Sequence, residues 1–329
     1  MVGLLIGFLI LIILAVGFIW LATRAWRDRN SVVRWLGVFF AGLLGLVFTA
    51  VTVLALVGVY RLNVPPYQYG NPIASIPVTG GQAQIDRGKE LANGCTGCHS
   101  STGNLPLDGS GIDFLAGGPP LGSMVPPNLT PSGPLKDWTD AQIARAIREG
   151  VDNQGHPLLI MPSDGFHAMS DEDVYSLVAY LRSQPPSTRR VPPVSLNVLG
   201  HAIIGSGLFP TSAQPPISAP VTAPPRAATA EYGKYITDGF GCESCHGVNM
   251  AGAVSGGGGP PAPNLTVIVP HWSQADFITF FRTGVAPGGV QVNPNNMPWK
   301  DYSKALTDQD LQALYLYLHA LPPVNKTTP

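Results

Sequence analysis

The chain has 329 residues, 45% of them hydrophobic and 12% charged, a length that accommodates two domains of ordinary size and an anchor. Basic and acidic residues nearly balance, 19 against 20 for a formal net charge of −1. There is no basic stripe, and this excludes the electrostatic footprint of a nucleic-acid binder.

The N-terminus carries two long apolar runs. Residues 3–22 and 35–60 are free of charged side chains, and each run reaches the roughly 20 residues that a membrane-spanning helix needs. A secretory signal wants basic residues ahead of a shorter apolar core, and nothing basic precedes Gly3. Between the runs, Arg24, Arg27, Arg29 and Arg34 stand against a single Asp28. The positive-inside rule places that loop in the cytoplasm. Residues 1–61 are therefore expected to form a transmembrane helical hairpin, with the N-terminus and everything after Arg61 outside. Neither run contains a histidine, the first being His99, so a bis-histidine haem inside the membrane is excluded for this chain alone. With no ionisable side chain in either run, the hairpin reads as an anchor or a docking surface rather than an ion path. Beyond Arg61 there remain 14 basic and 19 acidic residues, a difference of −5, which suits a soluble and mildly acidic exterior.

The chemistry begins at Cys95-Thr96-Gly97-Cys98-His99, which recurs as Cys242-Glu243-Ser244-Cys245-His246 and so uses all four cysteines. C-x-x-C-H is the attachment signature of c-type haem. The two thiols add covalently to the porphyrin vinyl groups, and the following imidazole reaches the iron as proximal ligand. The alternatives are a zinc site, which wants both pairs in one small module, a thioredoxin-like motif, which does not call for the histidine, and a disulfide. Two covalently bound haem c groups are expected. They agree with the topology, because haem c is attached on the extracytoplasmic side of bacterial membranes.

The rest of the chain is a duplication, with copies expected at residues 82–186 and 230–323 joined by a Pro/Ala-rich linker at 187–229. Each copy starts with a helix containing Gly-Lys (Gly88-Lys89, Gly233-Lys234). C-x-x-C-H, a Gly/Pro-rich stretch and Pro-Asn-Leu-Thr follow, the last at Pro127 and Pro263. Next come Trp138-Thr139 or Trp272-Ser273, a helix ending near Gly150 or Gly284, and Met161-Pro162 or Met297-Pro298. A final helix and Pro185-Pro186 or Pro322-Pro323 close each copy. Thr139-x-x-Gln142, Ser273-x-x-Asp276, Ser170-x-x-Asp173 and Thr307-x-x-Asp310 read as capping boxes. Val174, Leu177, Val178 and Leu181, and likewise Leu311, Leu314, Tyr315 and Leu318, form one apolar stripe per final helix. No sheet is expected. The apolar stretch at 196–208 is too short to span a bilayer and is expected to pack between the domains rather than lie on the membrane.

A second axial ligand is expected from Met161 and Met297, the matched pair among six methionines, whose soft thioether favours ferrous iron. Met250 is too close to His246 to cross the haem plane. Met124 lacks a counterpart methionine, and that of Met169 is Leu306, so packing suits both. Met169 or His167 is nonetheless the rival ligand in the first copy. His156, His167, His201, His271 and His319 have no duplicated partner and suit surface or capping roles. A proximal histidine gives its other N–H to a backbone carbonyl, for which Pro119, Pro120, Pro260 and Pro261 are the candidates.

In this order of motifs each copy resembles a class I cytochrome c domain. The whole resembles the membrane-anchored multihaem cytochrome c subunits that serve periplasmic dehydrogenases and respiratory or photosynthetic chains. The resemblance implies an all-α fold, with each small domain enclosing a haem that leaves one edge exposed. A two-helix hairpin departs from the usual single anchor. The expected role is electron transfer on the periplasmic side of a bacterial cell membrane, in a larger complex with other membrane redox subunits. A soluble cytochrome, a copper protein, an oxidase or a reaction centre are further possible partners; no catalytic residue is assigned. The alternative is a dihaem enzyme of the peroxidase or thiosulfate-oxidising type, which needs an exchangeable iron ligand or a spare cysteine.

Overall fold

The structure is a computed structural model that describes residues 2–68, 77–252 and 262–324. It divides into two compact units. One gathers the described parts of Met1–Pro66 with Ile112–Val125 and Pro192–Thr211; the other holds the described remainder, including both C-x-x-C-H segments.

The first two helices are α1 (Val2–Ala25) and α2 (Ser31–Asn63). Asn30 starts α2 by accepting from the N–H groups of Val32 and Val33 at 3.0 and 3.4 Å, which satisfies two donors that the first turn leaves unpaired. At 1.5 Å per residue, 24 and 33 residues give lengths of about 36 and 50 Å, each enough for a hydrocarbon core of about 30 Å. The helices pack on one another through stacked Phe18 and Phe48, 5.6 Å between centroids. Both are long and apolar enough to cross a membrane.

The first copy comprises α3 (Gln82–Ala92), the single turn α4 (Thr96–His99), α5 (Asp140–Glu149), α6 (Ser163–Phe166) and α7 (Asp171–Ser183). In the linker, α8 spans Val198–Ser206. The second copy repeats the plan with α9 (Ala230–Gly239), α10 (Glu243–His246), α11 (Leu265–Ile268), α12 (Gln274–Thr283), α13 (Trp299–Ala305) and α14 (Asp308–His319). The chain is mostly helical, as expected. Two short antiparallel ladders were not foreseen: β1 (Gly122–Ser123) with β2 (Ser195–Leu196), and β3 (Val285–Ala286) with β4 (Val290–Gln291). Two residues per strand leave no alternation to read.

Each copy is built on a crossing of its first and last helices. Gly88 of α3 sits against the Ser176 carbonyl of α7, and Gly233 of α9 against the Ala313 carbonyl of α14, so closely that no Cβ fits at either position. Leu91, Ile143, Val174, Leu177, Val178 and Leu181 fill the first core. Tyr232, Ile236, Phe277, Phe280, Leu311 and Leu314 fill the second. Three capping boxes close reciprocally, at Thr139, Ser273 and Thr307. At Ser170 only half of the box forms. Its hydroxyl accepts from Asp173 N–H at 3.2 Å, but its own N–H donates to Tyr235 Oη of the other copy at 3.0 Å.

That departure belongs to a polar seam between the copies. The Asp173 carboxylate accepts a fork from Arg87 (2.7 and 2.9 Å) and a bond from Tyr235 Oη (2.7 Å). Its counterpart Asp310 accepts a fork from Arg226 at 3.1 and 2.8 Å, and Arg226 also reaches Glu90 of the first copy at 2.9 Å. Paired forks of this kind bind tightly because guanidinium and carboxylate match in shape.

Helix α8 corrects the expectation for residues 196–208, since it packs on α2. A Cβ on Gly58 would lie 1.9 Å from the His201 carbonyl oxygen, and one on Gly205 1.8 Å from that of Leu54. Small residues let the two backbones approach, and Arg61 donates to the Ile204 carbonyl at 2.9 Å.

Candidate haem centres

The two attachment loops are built alike. Each C-x-x-C-H follows directly on the first helix of its copy and ends in one helical turn, α4 or α10. His99 Nδ1 donates to the carbonyl of Pro127 and His246 Nδ1 to that of Pro263, both at 3.0 Å. Burial holds both imidazoles below their ordinary pKa, against the opposing pull of those carbonyls. Each ring is therefore neutral at pH 7, with its proton on Nδ1. Among the described residues Nε2 of neither ring makes a hydrogen bond. A neutral imidazole with an oriented Nδ1–H and an unengaged Nε2 is the form that ligates a metal.

The acceptor carbonyls correct the expectation from the Gly-Pro-Pro segments. The Pro120 carbonyl instead takes the Asn197 side-chain amide at 2.6 Å, and no bond to His99 comes from Pro119. Pro260 and Pro261 lie outside the described residues. The acceptor is the first residue of the duplicated Pro-Asn-Leu-Thr, and the rest of that motif explains why it is held. Asn128 Oδ1 accepts from the N–H and hydroxyl of Thr130 at 2.9 and 2.7 Å, and Asn264 does the same with Thr266 at 3.0 and 2.7 Å. Each asparagine then donates to the chain beyond the final helix, Asn128 to Arg189 at 3.0 Å and Asn264 to Val324 at 2.8 Å. The recurrence of the motif in sequence was the available signal.

None of the four cysteines is paired in a disulfide. Burial pushes the Cys95 and Cys242 thiols up to about 12. Among the described residues, no group of three His, Cys, Asp or Glu is placed to hold a metal ion. The donor set in each copy, two thiols and one oriented imidazole, fits a covalently attached haem.

Met161-Pro162 and Met297-Pro298 adopt one backbone geometry. The prolines sit at φ −79°, ψ 53° and φ −77°, ψ 52°. Each methionine carbonyl accepts from the residue two places on, Ser163 at 2.8 Å and Trp299 at 2.7 Å. Both methionines are partly buried. Met169 is a buried member of the first core and Leu306 of the second. His167 Nδ1 donates to the Arg148 carbonyl near the end of α5 at 3.1 Å. Met124 is buried too, and its N–H is held by Asp113 at 2.9 Å. His156 bonds to Asp152 and His201 to the Asn197 carbonyl; His319 packs on Tyr315, and His271 is exposed.

One pair of residues escaped the sequence reading. Arg148 reaches the Met169 carbonyl (3.2 Å) and Asp171 (2.6 Å), and Arg282 reaches the Leu306 carbonyl (2.9 Å) and Asp308 (2.7 Å). Each arginine pins the segment between Met-Pro and the final helix. The signal was Arg-x-Gly, which precedes Met-Pro in both copies.

Two helical copies, each with an attachment loop, a carbonyl-oriented histidine and a Met-Pro turn, define tandem haem c domains. The family model for cytochrome c matches residues 85–185 and again 230–322. The chain belongs to the cytochrome c family.

Known relatives agree. A nicotinate dehydrogenase component from Pseudomonas putida is 28% identical over 270 residues, covering 73% of this chain and 21% of that protein. The cytochrome subunit of a fructose dehydrogenase from Gluconobacter japonicus is 26% identical, over 76% of this chain and 55% of the relative. A protein named dihaem cytochrome c-type from Cereibacter sphaeroides is 26% identical, over 77% of this chain and 92% of the relative. The chain thus spans 21% and 55% of the length of the first two. With two matched regions and a dihaem relative, the chain is a dihaem cytochrome c carrying covalently bound haem c.

Proposed function

We propose that this chain is an electron-transfer subunit, anchored in a bacterial cell membrane, that relays electrons through two haem c groups between a redox enzyme module and an acceptor. Residues 1–61 form the membrane-spanning hairpin. Residues 82–186 and 230–323 each carry one haem, joined by the linker at 187–229, and both stand on the periplasmic side. Cys95 and Cys98 attach one haem and Cys242 and Cys245 the other. His99 and His246 would each ligate one iron, and Met161 and Met297 would supply the second ligands. Bound haem supplies reversible one-electron chemistry; the protein orients the imidazoles. With two protein ligands to each iron, the subunit would move electrons without itself transforming a substrate.

The observation that carries this reading is the repeated hydrogen bond from each C-x-x-C-H histidine to the Pro-Asn-Leu-Thr carbonyl. The names of the relatives, dehydrogenase subunits among them, favour a dehydrogenase as donor. A quinol-oxidising module is the other donor class. A soluble cytochrome, a copper protein, an oxidase or a reaction centre is the acceptor.

Haem counting tests the assignment. Wild-type protein, denatured and extracted with acidified organic solvent, is expected to retain two haems per chain. The Cys95→Ala/Cys98→Ala variant is expected to retain one. Release of haem from the denatured wild type would overturn the reading. Peroxide turnover by the isolated subunit would replace electron transfer with an enzymatic role.

A further inference from the structure

The copies touch through their functional loops. Helix α13, which follows the Met297-Pro298 turn of the second copy, lies on the attachment loop of the first. A Cβ built on Gly97, between Cys95 and Cys98, would lie 2.7 Å from Asp301 Oδ2. Lys304, on the same face of α13, donates to the Gly103 carbonyl of the first copy. A Cβ on Gly94 would reach Ala305 at 3.8 Å. The Asp301 carboxylate thus rests on the segment carrying both attachment thiols.

The reverse contact is different. In the spacing set by Met161 and Met297, the counterpart of Asp301 is Gly165. It packs directly on Gly241, just ahead of the second attachment pair. The neighbouring Asp164 accepts from the Ser244 hydroxyl at 2.8 Å, but at an exposed position. The second loop therefore receives a solvent-screened carboxylate where the first receives one about half buried. Burial raises the Asp301 carboxyl above the ordinary carboxylate value, against the opposing pull of Lys304 and Lys300.

We propose that Asp301 is a potential-setting residue acting across the copies: its carboxylate, supplied by the second copy, stabilises the oxidised haem of the first and holds that haem's midpoint down. The proposal rests on the haem assignment above. A negative charge beside a redox centre favours the more positive oxidation state. Within roughly 10 Å, at an effective permittivity of about 20, that preference is roughly ten-fold or more. For one electron, ten-fold corresponds to about 59 mV. The single electron comes from a chemical mediator and the protein supplies only the field, so no proton or second reactant is needed.

The test is a mediated redox titration of the haem-loaded full chain in detergent. Wild type is compared with Asp301→Asn, Asp301→Glu, Asp164→Asn and Met161→His, with haem content and visible spectrum recorded for each. In Asp301→Asn one of the two midpoints is expected to rise by about 59 mV per ten-fold shift, while the other stays. Asp301→Glu should restore it, and Asp164→Asn should move either midpoint less. The rising midpoint should be the one that Met161→His lowers. Two unmoved midpoints in Asp301→Asn, or two that move equally, overturn the proposal. If Met161→His moves neither midpoint, the ligand assignment fails, while the Asp301 comparison still decides between one moved midpoint and none. Should Asp301→Asn fail to retain haem, Asp301→Ser takes its place under the same criteria.

Discussion

Replacing Gly88 by alanine tests the crossing on which the first haem domain is built. The new Cβ would sit 1.8 Å from the Ser176 carbonyl oxygen, 2.5 Å from its carbon and 2.8 Å from Tyr180 Cβ. Ordinary contact begins near 3.4 Å, so α3 and α7 must part by roughly 1.6 Å along that direction. The obstacle is helix backbone, which cannot swing aside as a side chain does. Overpacking of this kind costs about 1–3 kcal/mol, and backbone against backbone belongs at the upper end. Alanine returns about 1 kcal/mol of helix propensity relative to glycine. The net expected destabilisation is about 2 kcal/mol, a factor of about 30 in the folded ratio. Gly233→Ala should behave alike, its Cβ falling 2.0 Å from the Ala313 carbonyl. Gly81→Ala is the control: its nearest neighbour would be Thr79 Oγ1 at 3.6 Å, and its effect should stay within about 0.5 kcal/mol. Urea unfolding followed by far-UV circular dichroism and the haem spectrum reads all three through the midpoint at unchanged slope. If Gly88→Ala unfolds at the same urea concentration as Gly81→Ala, the helices do not cross as described.

Three further outcomes are expected. Protease added to intact spheroplasts should digest both haem domains and spare the hairpin; complete protection would invert the topology drawn from the arginine-rich loop. Met297→Ala should open one iron to carbon monoxide and lower one midpoint, because the thioether that favours ferrous iron is gone; an unchanged spectrum would remove Met297 from the ligand set. Asp310 concerns acid stability. Burial pushes its carboxyl up, but the Arg226 fork and the hydroxyl and N–H of Thr307 outweigh burial and hold it below 3.8. A depressed carboxyl stabilises the fold above its unfolded value and loses that contribution as pH falls through the folded one. Urea midpoints should therefore fall more steeply below about pH 4 in wild type than in Asp310→Asn, and parallel curves would show that the seam is not linked to protonation.

The final helices were legible because burial on one side leaves a 3.6-residue stripe, as at Val174, Leu177, Val178 and Leu181. The caps at Thr139, Ser273 and Thr307 were legible because a cap is settled within four residues. Ser170 has the same local pattern and still closes only half of its box, because Tyr235, 65 residues away, takes its N–H. The two short ladders were illegible for want of length. The recurrence of Pro-Asn-Leu-Thr marked the motif but not that its first carbonyl turns toward the C-x-x-C-H histidine. The Gly-Pro-Pro prolines misled because proximity in sequence says nothing about which carbonyl a folded loop turns inward.

By itself the sequence determined the duplication, the two C-x-x-C-H motifs, the two apolar runs and the starts of the capped helices. All of these depend on covalent order or on neighbours within a few residues. Tertiary structure alone decided that Pro127 and Pro263 orient the histidines and that α8 lies on α2. It also decided that Tyr235 ties Asp173 to the second copy, that Arg226 ties Asp310 to Glu90 of the first, and that Asp301 reaches the other copy's attachment loop. Such pairings join residues from 17 to about 200 positions apart. They are fixed by which backbones can approach at Gly58, Gly88, Gly205 and Gly233 and by which buried charges must find a partner, and no local pattern encodes either.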